Sequence, residues 1–249
     1  MSTVALLRHG QEPTRGSAFS HPNISFVICE SMEFSQYIEY ELEISRADTP
    51  LVRVLQDASG ATGCGVGSTV WDTGLVLAKY FDHQTSLGNL DLSGKTVLEL
   101  GSGTGIVGIA LGRLHPKCQV LLTDKEELVP LLDRNIELNS ATDNTRAKCL
   151  DWTKSTSLDT VPDLIIVSDG IWDKDLHQPL ADTLASLAGS ETRVLLAFES
   201  RKFDEEAEFI ARWSQTFRFR DIKPSEQDPV MQSEDIFIFD GMRKIKVAE

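Results

Sequence analysis

From Leu92 onward the sequence predicts a doubly wound α/β sheet, and three observations carry that expectation. Short apolar runs alternate with amphipathic helical stretches at the spacing of parallel crossovers. A glycine-rich turn, Gly101-Ser-Gly-Thr-Gly105, follows the first of those runs. The last two strand-like segments have no helix between them. Right-handed crossovers put helices on both faces of such a sheet, so its strands are buried on both sides. The runs VLEL, LIIV and VLLAF read accordingly, without polar alternation.

Taken in order, strands are expected at Thr96–Leu100, Gln119–Thr123, Ala147–Leu150, Leu164–Val167 and Arg193–Phe198. Helices are expected near Gly105–Leu114, Lys125–Leu138, Lys174–Leu187 and Asp204–Gln215. Phe217–Lys223 and Asp235–Asp240 are strand-like and joined by a loop from Pro224 to Ser233, which makes them antiparallel neighbours. The result is a seven-stranded, Rossmann-like sheet ending in an antiparallel hairpin, formed by residues 91–249. Residues 1–90 form an N-terminal extension expected to pack on this core as one structural unit. Within it Phe34–Glu43 alternates weakly as a strand, and Arg53–Ala58 fits strand or loop. Ala61–Ser68 is a Gly-rich loop and Val70–Phe81 a helix. No internal repeat or low-complexity linker interrupts the chain.

With 249 residues, 41% hydrophobic and 25% charged, the chain is long enough for one large domain with an extension. A formal charge of −14 argues against sequence-independent nucleic-acid binding, which needs Lys and Arg to displace phosphate counterions. It suits a basic protein partner better. Cys29, Cys64, Cys118 and Cys149 form no Cys-x-x-Cys pair, so neither a zinc site nor a disulfide framework is expected. The five histidines have no metal-ligand spacing. No run approaches the ~18–20 apolar residues of a membrane span, and MSTVALLRHGQEPT is not a signal peptide. The expectation is a cytoplasmic or nuclear monomer with no metal, membrane or nucleic-acid partner.

The strongest motif is Val97-Leu-Glu-Leu-Gly-Ser-Gly-Thr-Gly105, at the junction of a buried strand and a helix. Three glycines let the backbone turn sharply and leave room for a ligand against the main chain. Gly103-x-Gly105-x-x-Gly108 also fits the dinucleotide fingerprint, and Asp124, ending the second strand, could hold ribose hydroxyls of either kind of cofactor. Glu99 discriminates. An acidic side chain inside a buried strand is costly without a partner, and a nicotinamide site has no use for it there. A helix-capping or ion-pair role is its structural alternative.

Together with Leu122-Thr-Asp-Lys-Glu-Glu127, Val70-Trp71-Asp72, Leu150-Asp151-Trp152 and Ser233-Glu-Asp-Ile236, this motif resembles the lysine methyltransferases of methyltransferase family 16, seven-strand class I enzymes that use S-adenosylmethionine. The resemblance spans roughly Gly63 to Lys244. The glycine loop is common to all class I methyltransferases; its combination with Trp71 and Trp152 points to this family. The resemblance implies cofactor contacts from Trp71, Gly101, Ser102, Gly103, Asp124, Trp152 and Ser168, with Glu99 beneath the methionine part. It also implies a protein substrate, with chaperones, ATPases and translation factors as the classes. Trp71 and Trp152 could instead be core aromatics, and Asp124 could cap the helix starting near Glu126.

Ligands sit beyond the carboxyl ends of strands in doubly wound folds, so Ser168-Asp-Gly-Ile-Trp172 faces the reacting centre. The family shows an acidic residue, two spacers and Tyr or Phe here; this chain has Asp169 and Trp172. Asp169 could orient an amine and Trp172 could wall an apolar channel and face a cation; alternatively Asp169 caps the following helix. Glu199 pairs with Arg201 or meets substrate. Asp173, Asp175 and the acidic stretch Asp204–Glu208 read as solvated surface. The competing functions are a weakly active or inactive cofactor-binding scaffold, a Rossmann oxidoreductase, and a methyltransferase for a small molecule, a nucleic acid or another protein nitrogen.

Overall fold

The computed structural model describes residues 37–45, 51–57, 64–154 and 157–244. The expectations for Phe34–Gln36, Ala58, Ala61–Gly63 and Cys29 lie outside them. β1 (Ile38–Glu43) and β2 (Leu51–Gln56) pair antiparallel as a separate two-stranded sheet, so the Arg53 segment is strand rather than loop. A 3₁₀ turn over Gly65–Ser68 leads into α1 (Asp72–Ser86), five residues longer than its expected end. Then come β3 (Thr96–Leu100), α2 (Ile106–Leu114), β4 (Gln119–Asp124), α3 (Val129–Leu138) and β5 (Thr145–Cys149). β6 (Leu164–Ser168), α4 (His177–Leu187), β7 (Arg193–Glu199), α5 (Phe203–Thr216), β8 (Phe217–Asp221) and β9 (Ile236–Arg243) complete the order.

The main sheet has the order β5-β4-β3-β6-β7-β9-β8. The first five are parallel, and β9 runs antiparallel to both β7 and β8. The order reverses between β3 and β6, which opens a crevice at the carboxyl ends of those two strands, where doubly wound sheets bind ligands.

Side chains alternate across the sheet. Leu98, Leu100, Ile165 and Val167 face α4 and α5 and pack with Leu180, Phe209 and Trp213. Val97, Leu122, Ile166 and Leu195 face the other layer, with Leu75, Phe81, Ile109 and Leu111. Glu99 lies on this second face, inside an otherwise apolar strand. Gly108 of α2 is what makes room for it: a Cβ there would run into Leu122 and sit 2.7 Å from a Glu99 carboxylate oxygen. Among the described residues no helix is long and apolar enough to cross a membrane.

The small β1–β2 sheet is fastened by two asparagines one turn apart, Asn135 on α3 and Asn139 at its C-cap. Asn135 accepts from Leu55 N–H at 2.7 Å and donates to the carbonyls of Leu55 (3.2 Å) and Thr104 (2.8 Å). Asn139 accepts from Arg53 N–H at 2.9 Å and donates to the Arg53 carbonyl at 2.5 Å. The amides serve the open edge of β2 as a neighbouring strand would, and Asn135 also ties that edge to the end of the glycine loop. Asn135 is fully buried, so Asn135→Ala strands three backbone groups. Its expected cost in urea unfolding is about 2–4 kcal/mol; a loss below about 0.5 kcal/mol would show that these bonds do not hold the hairpin.

Candidate active site

The turn after β3 is built from backbone. Gly101, Gly103 and Gly105 all have positive φ, at 69°, 56° and 79°, a region costly for residues with a Cβ. At Gly103 a Cβ would also stand 2.8 Å from the Gly67 carbonyl oxygen, so the loop and the segment before α1 meet there backbone to backbone. The loop is then pinned to β4. Ser102 N–H donates to the Thr123 carbonyl at 2.9 Å, Thr123 N–H donates to Ser102 Oγ at 3.0 Å, and Thr123 Oγ donates to the Glu99 carbonyl at 2.6 Å.

Two carboxylates hold this turn. Asp124 accepts from Gly103 N–H at 2.8 Å with one oxygen and from Lys125 N–H at 2.8 Å with the other. It therefore fastens the glycine loop and does not cap the following helix, which starts with a 3₁₀ turn at Glu126 and becomes α3 only at Val129. Glu99 accepts from Gly108 N–H at 3.1 Å. Gly108 is the third residue of α2, so Glu99 does cap a helix: it satisfies one of the free amides of the first turn from below. Burial pushes the Glu99 carboxyl up to about 8, against the bonds from Gly108 and Ser102, and the charge of Asp124 adds to the rise. Burial likewise raises Asp124, opposed by the backbone bonds from Gly103 and Lys125 and by the Lys125 charge, with the charge of Glu127 adding to the rise.

Above this floor lies a cleft of about 760 Å³, and all ten residues singled out in the sequence line it: Trp71, Glu99, Gly101, Ser102, Gly103, Asp124, Trp152, Ser168, Asp169 and Trp172. Trp71 is not a core aromatic. It is 40% exposed, it stands at the N-cap of α1, and its ring N–H donates to the Val66 carbonyl at 2.9 Å. Trp152 packs half-buried against the α4–α5 core, as its core-aromatic reading has it, and its ring edge lies against Gly101 and Gly170 in the cleft wall. Ser168 ends β6. Trp172 is 47% exposed at the rim.

Asp169 sits in the left-handed region, φ 55°, where Asp is tolerated better than most residues. It caps nothing; Asp173 caps the turn ahead of α4, accepting from Asp175 N–H at 3.0 Å. Both Asp169 oxygens face the Arg201 guanidinium, at 3.2 and 2.8 Å. Arg201 also bonds Glu199, and its guanidinium carbon lies 5.2 Å from the centre of the Trp71 ring. Glu199 thus meets Arg201, the first of its two readings. Arg201 was visible in the sequence only as that partner; its contact with Asp169 depends on how the β7–α5 loop folds back over the end of β6.

Glu206 corrects the reading of its neighbourhood. Placed with the solvated acids of Asp204–Glu208, it is in fact buried. Its carboxylate accepts from Arg201 N–H and Lys202 N–H, each at 2.7 Å, and from Ser200 Oγ at 2.7 Å. Three donors converge on it because the chain enters α5 through these residues, and their amides have no partner within the helix. Among the described residues no group of three or more His, Cys, Asp or Glu side chains is arranged to hold a metal ion.

The raised Glu99 carboxyl has a measurable consequence. A folded state that keeps a proton the unfolded chain releases loses stability as pH rises, here across the window from about 4.5 to about 8. Asp124 acts in the same direction over its own range. Glu99→Gln removes only the Glu99 part, so the variant should gain on the parent between about pH 5.5 and about pH 8.5, by an amount on the order of a few kcal/mol in chemical unfolding. Parallel stability profiles would show that Glu99 titrates as an ordinary carboxylate.

A family model described as lysine methyltransferase matches residues 50–216. The protein N-lysine methyltransferase METTL21A of Danio rerio is 31% identical over 168 residues, covering 66% of this chain and 74% of its own length. The protein-lysine N-methyltransferase EFM6 of Saccharomyces cerevisiae is 33% identical over 176 residues, 61% of this chain and 70% of its own. The EEF1A lysine methyltransferase 3 of Xenopus tropicalis is 34% identical over 142 residues, 55% and 60%. Among solved structures, a TehB-like SAM-dependent methyltransferase from Corynebacterium glutamicum superposes with a TM-score of 0.51 at 16% identity, over 72% of this chain and 90% of that one. A predicted O-methyltransferase from Agrobacterium tumefaciens gives 0.52 at 18%, over 71% and 82%. At these identities the structural likeness is one of fold, whereas the family match covers most of the chain: the protein belongs to the lysine methyltransferase family.

Proposed function

We propose that this protein transfers a methyl group from S-adenosylmethionine to a lysine side chain of a protein partner. The observation that carries the reading is a cleft with acidic groups at both ends, Glu99 and Asp124 at its floor and Asp169 at its mouth, where Arg201 joins Asp169 to Glu199 behind the lining. Among the described residues neither floor carboxylate has a side-chain cation in contact, and burial strains both toward protonation. That environment favours a ligand that brings positive charge. A sulfonium bearing an amino-acid ammonium fits; a dinucleotide pyrophosphate does not. Gly101–Gly103 would lie along the ligand backbone, Asp124 would accept ribose hydroxyls with the lone pairs its two backbone donors leave, and Trp71, Trp152 and Ser168, which line the cleft, would supply the walls.

When bound, S-adenosylmethionine would supply an electrophilic methyl on a cationic sulfur that keeps the C–S electron pair as a neutral thioether, the lysine nitrogen lone pair forming the new N–C bond. The protein has to bring a neutral amine into line, although a free lysine ammonium ionises near pH 10.4. Asp169 would orient the nitrogen from beyond β6. Trp172 would wall the channel with an apolar face that also attracts a cation. The proton lost before transfer leaves through the open mouth to water. Protein substrates follow from the relatives' names: one is named for EEF1A, which favours a translation factor, and the motifs also resemble the family's methyltransferase of valosin-containing protein, which keeps an ATPase in view.

Incubating a cell extract with the protein and methyl-labelled cofactor should label a small number of protein bands on lysine. Label confined to small molecules or nucleic acid would contradict the reading. Asp169→Asn keeps the shape and tolerates the left-handed backbone but removes the charge. The transfer rate should fall about tenfold to a thousandfold, roughly 1.4–4 kcal/mol in the barrier, with S-adenosylhomocysteine affinity changed by less than a few-fold. Trp172→Tyr should keep much of the activity. Transfer at the parental rate by Asp169→Asn would remove Asp169 from the chemistry.

A further inference from the structure

The mouth of the cleft contains a cation of the protein's own. Arg201 stands between Asp169, at the end of β6, and Glu199, at the end of β7, and covers the face of Trp71 from α1. Two carboxylates and one guanidinium leave a net charge of −1 at the position an incoming lysine must reach. The pair with Asp169 is fork-to-fork, which fixes direction as well as charge. Arg201 is itself held from behind, because the buried Glu206 carboxylate takes the backbone N–H of both Arg201 and Lys202.

We propose that Arg201 is a positioning residue for methyl transfer, acting in two ways: it aims the Asp169 carboxylate, and its fixed positive charge offsets the two mouth carboxylates so that the acceptor amine loses its proton more easily. The inference rests on the lysine methyltransferase reading above. A carboxylate alone would be a poor host for this reaction, since an adjacent negative charge raises the proton affinity of an amine and a positive charge lowers it. Asp169 and Glu199 without Arg201 would bind the ammonium and keep it protonated. With Arg201 in place, Asp169 Oδ2 accepts from Arg201 alone and retains a lone pair for the amine, whereas Oδ1 also accepts from Glu199 N–H at 3.5 Å, and the field is that of one negative charge rather than two.

The other charged groups on the cleft wall do not take over this task. Lys202 on the same loop is drawn to Glu205 at 3.3 Å. Asp151 is paired with Lys154 at 3.0 Å. Glu99, Asp124, Lys125 and Glu127 lie at the cofactor end of the cleft with the glycine loop and the start of α3.

The test compares the full-length protein with Arg201→Met and Arg201→Lys. Calorimetric binding of S-adenosylhomocysteine should stay within about threefold in both, which shows that the fold and the floor are intact. Methyl transfer is then followed as tritium incorporation into protein of a heat-treated cell extract between about pH 6.5 and about pH 10. In Arg201→Met the rate near neutral pH should fall about tenfold to a hundredfold, and the rising limb of the pH profile should move up by about one unit. Arg201→Lys keeps the charge and loses the fork, so its rate should be intermediate with its limb near the parental position. A uniform fall at every pH, with no displacement of the limb in Arg201→Met, would reduce Arg201 to a scaffold contact and overturn the inference. So would an unchanged rate. A parental protein that binds S-adenosylhomocysteine yet labels no protein at any pH would instead overturn the lysine methyltransferase reading, and the inference with it.

Discussion

The loop between β3 and α2 is strung between two buried carboxylates, and much of the molecule is arranged to make that possible. Glu99 reaches up from within the strand to the amide of Gly108, and Asp124 reaches across from the neighbouring strand to the amide of Gly103. The first bond satisfies a donor in the opening turn of α2, whose N-cap Gly105 has no side chain to do so, and the second satisfies a loop amide two residues ahead of that cap. Gly108 is present because any larger residue would collide with Glu99 and Leu122. The positive φ angles at Gly101, Gly103 and Gly105 follow from the same turn. A buried acid held this way is unfavourable in isolation; it becomes intelligible as half of an interaction whose other half is a positively charged ligand.

The mouth obeys the same logic with different parts. There the negative charge is already partly matched by Arg201, and the match is maintained by a second buried acid, Glu206, which has nothing to do with the cleft except to hold the loop. Floor and mouth thus differ in a way that suits two different guests. On the proposed reading, the floor's buried carboxylates, with no cation among the described residues in hydrogen-bonding contact, suit a permanent cation, while the tempered field of the mouth suits a group that must arrive charged and react neutral.

Legibility in the sequence tracked burial. β3, β6 and β7 are buried on both faces, so their runs are apolar but for Glu99, and their bounds could be read to within a residue. β5 lies at the sheet edge with only its first residue buried, and the expectation of Ala147–Leu150 begins two residues late and ends one residue late against Thr145–Cys149. The β1–β2 hairpin was faint because its open edge is paired by Asn135 and Asn139, which lie 80 and 86 residues beyond the backbone groups they bond. No local pattern announces such bonds. Most of the ten cleft residues were visible because they lie beyond strand ends or in a glycine turn, positions that topology carries to one crevice, whereas Glu99 stood out as an acid within an apolar strand and Trp71 and Trp152 through the family resemblance. Arg201 and Glu206 were not, since their meaning comes from a loop folding back on a strand end from which it is distant in sequence. An acidic run such as Asp204–Glu208 looks solvated residue by residue, although one of its members faces inward.

If the function is as inferred, the floor of the cleft must answer to positive charge. Titration calorimetry with S-adenosylmethionine and with NAD, near pH 7.5 in buffers of different ionisation enthalpy, addresses this directly. With the Glu99 carboxyl pushed up to about 8, arrival of a cationic ligand should ionise it. S-adenosylmethionine should therefore bind with release of a fraction of a proton to the buffer, and NAD should give no heat of binding. Binding of NAD in its place, or binding of S-adenosylmethionine with no proton released, would contradict the charge matching from which the function has been inferred.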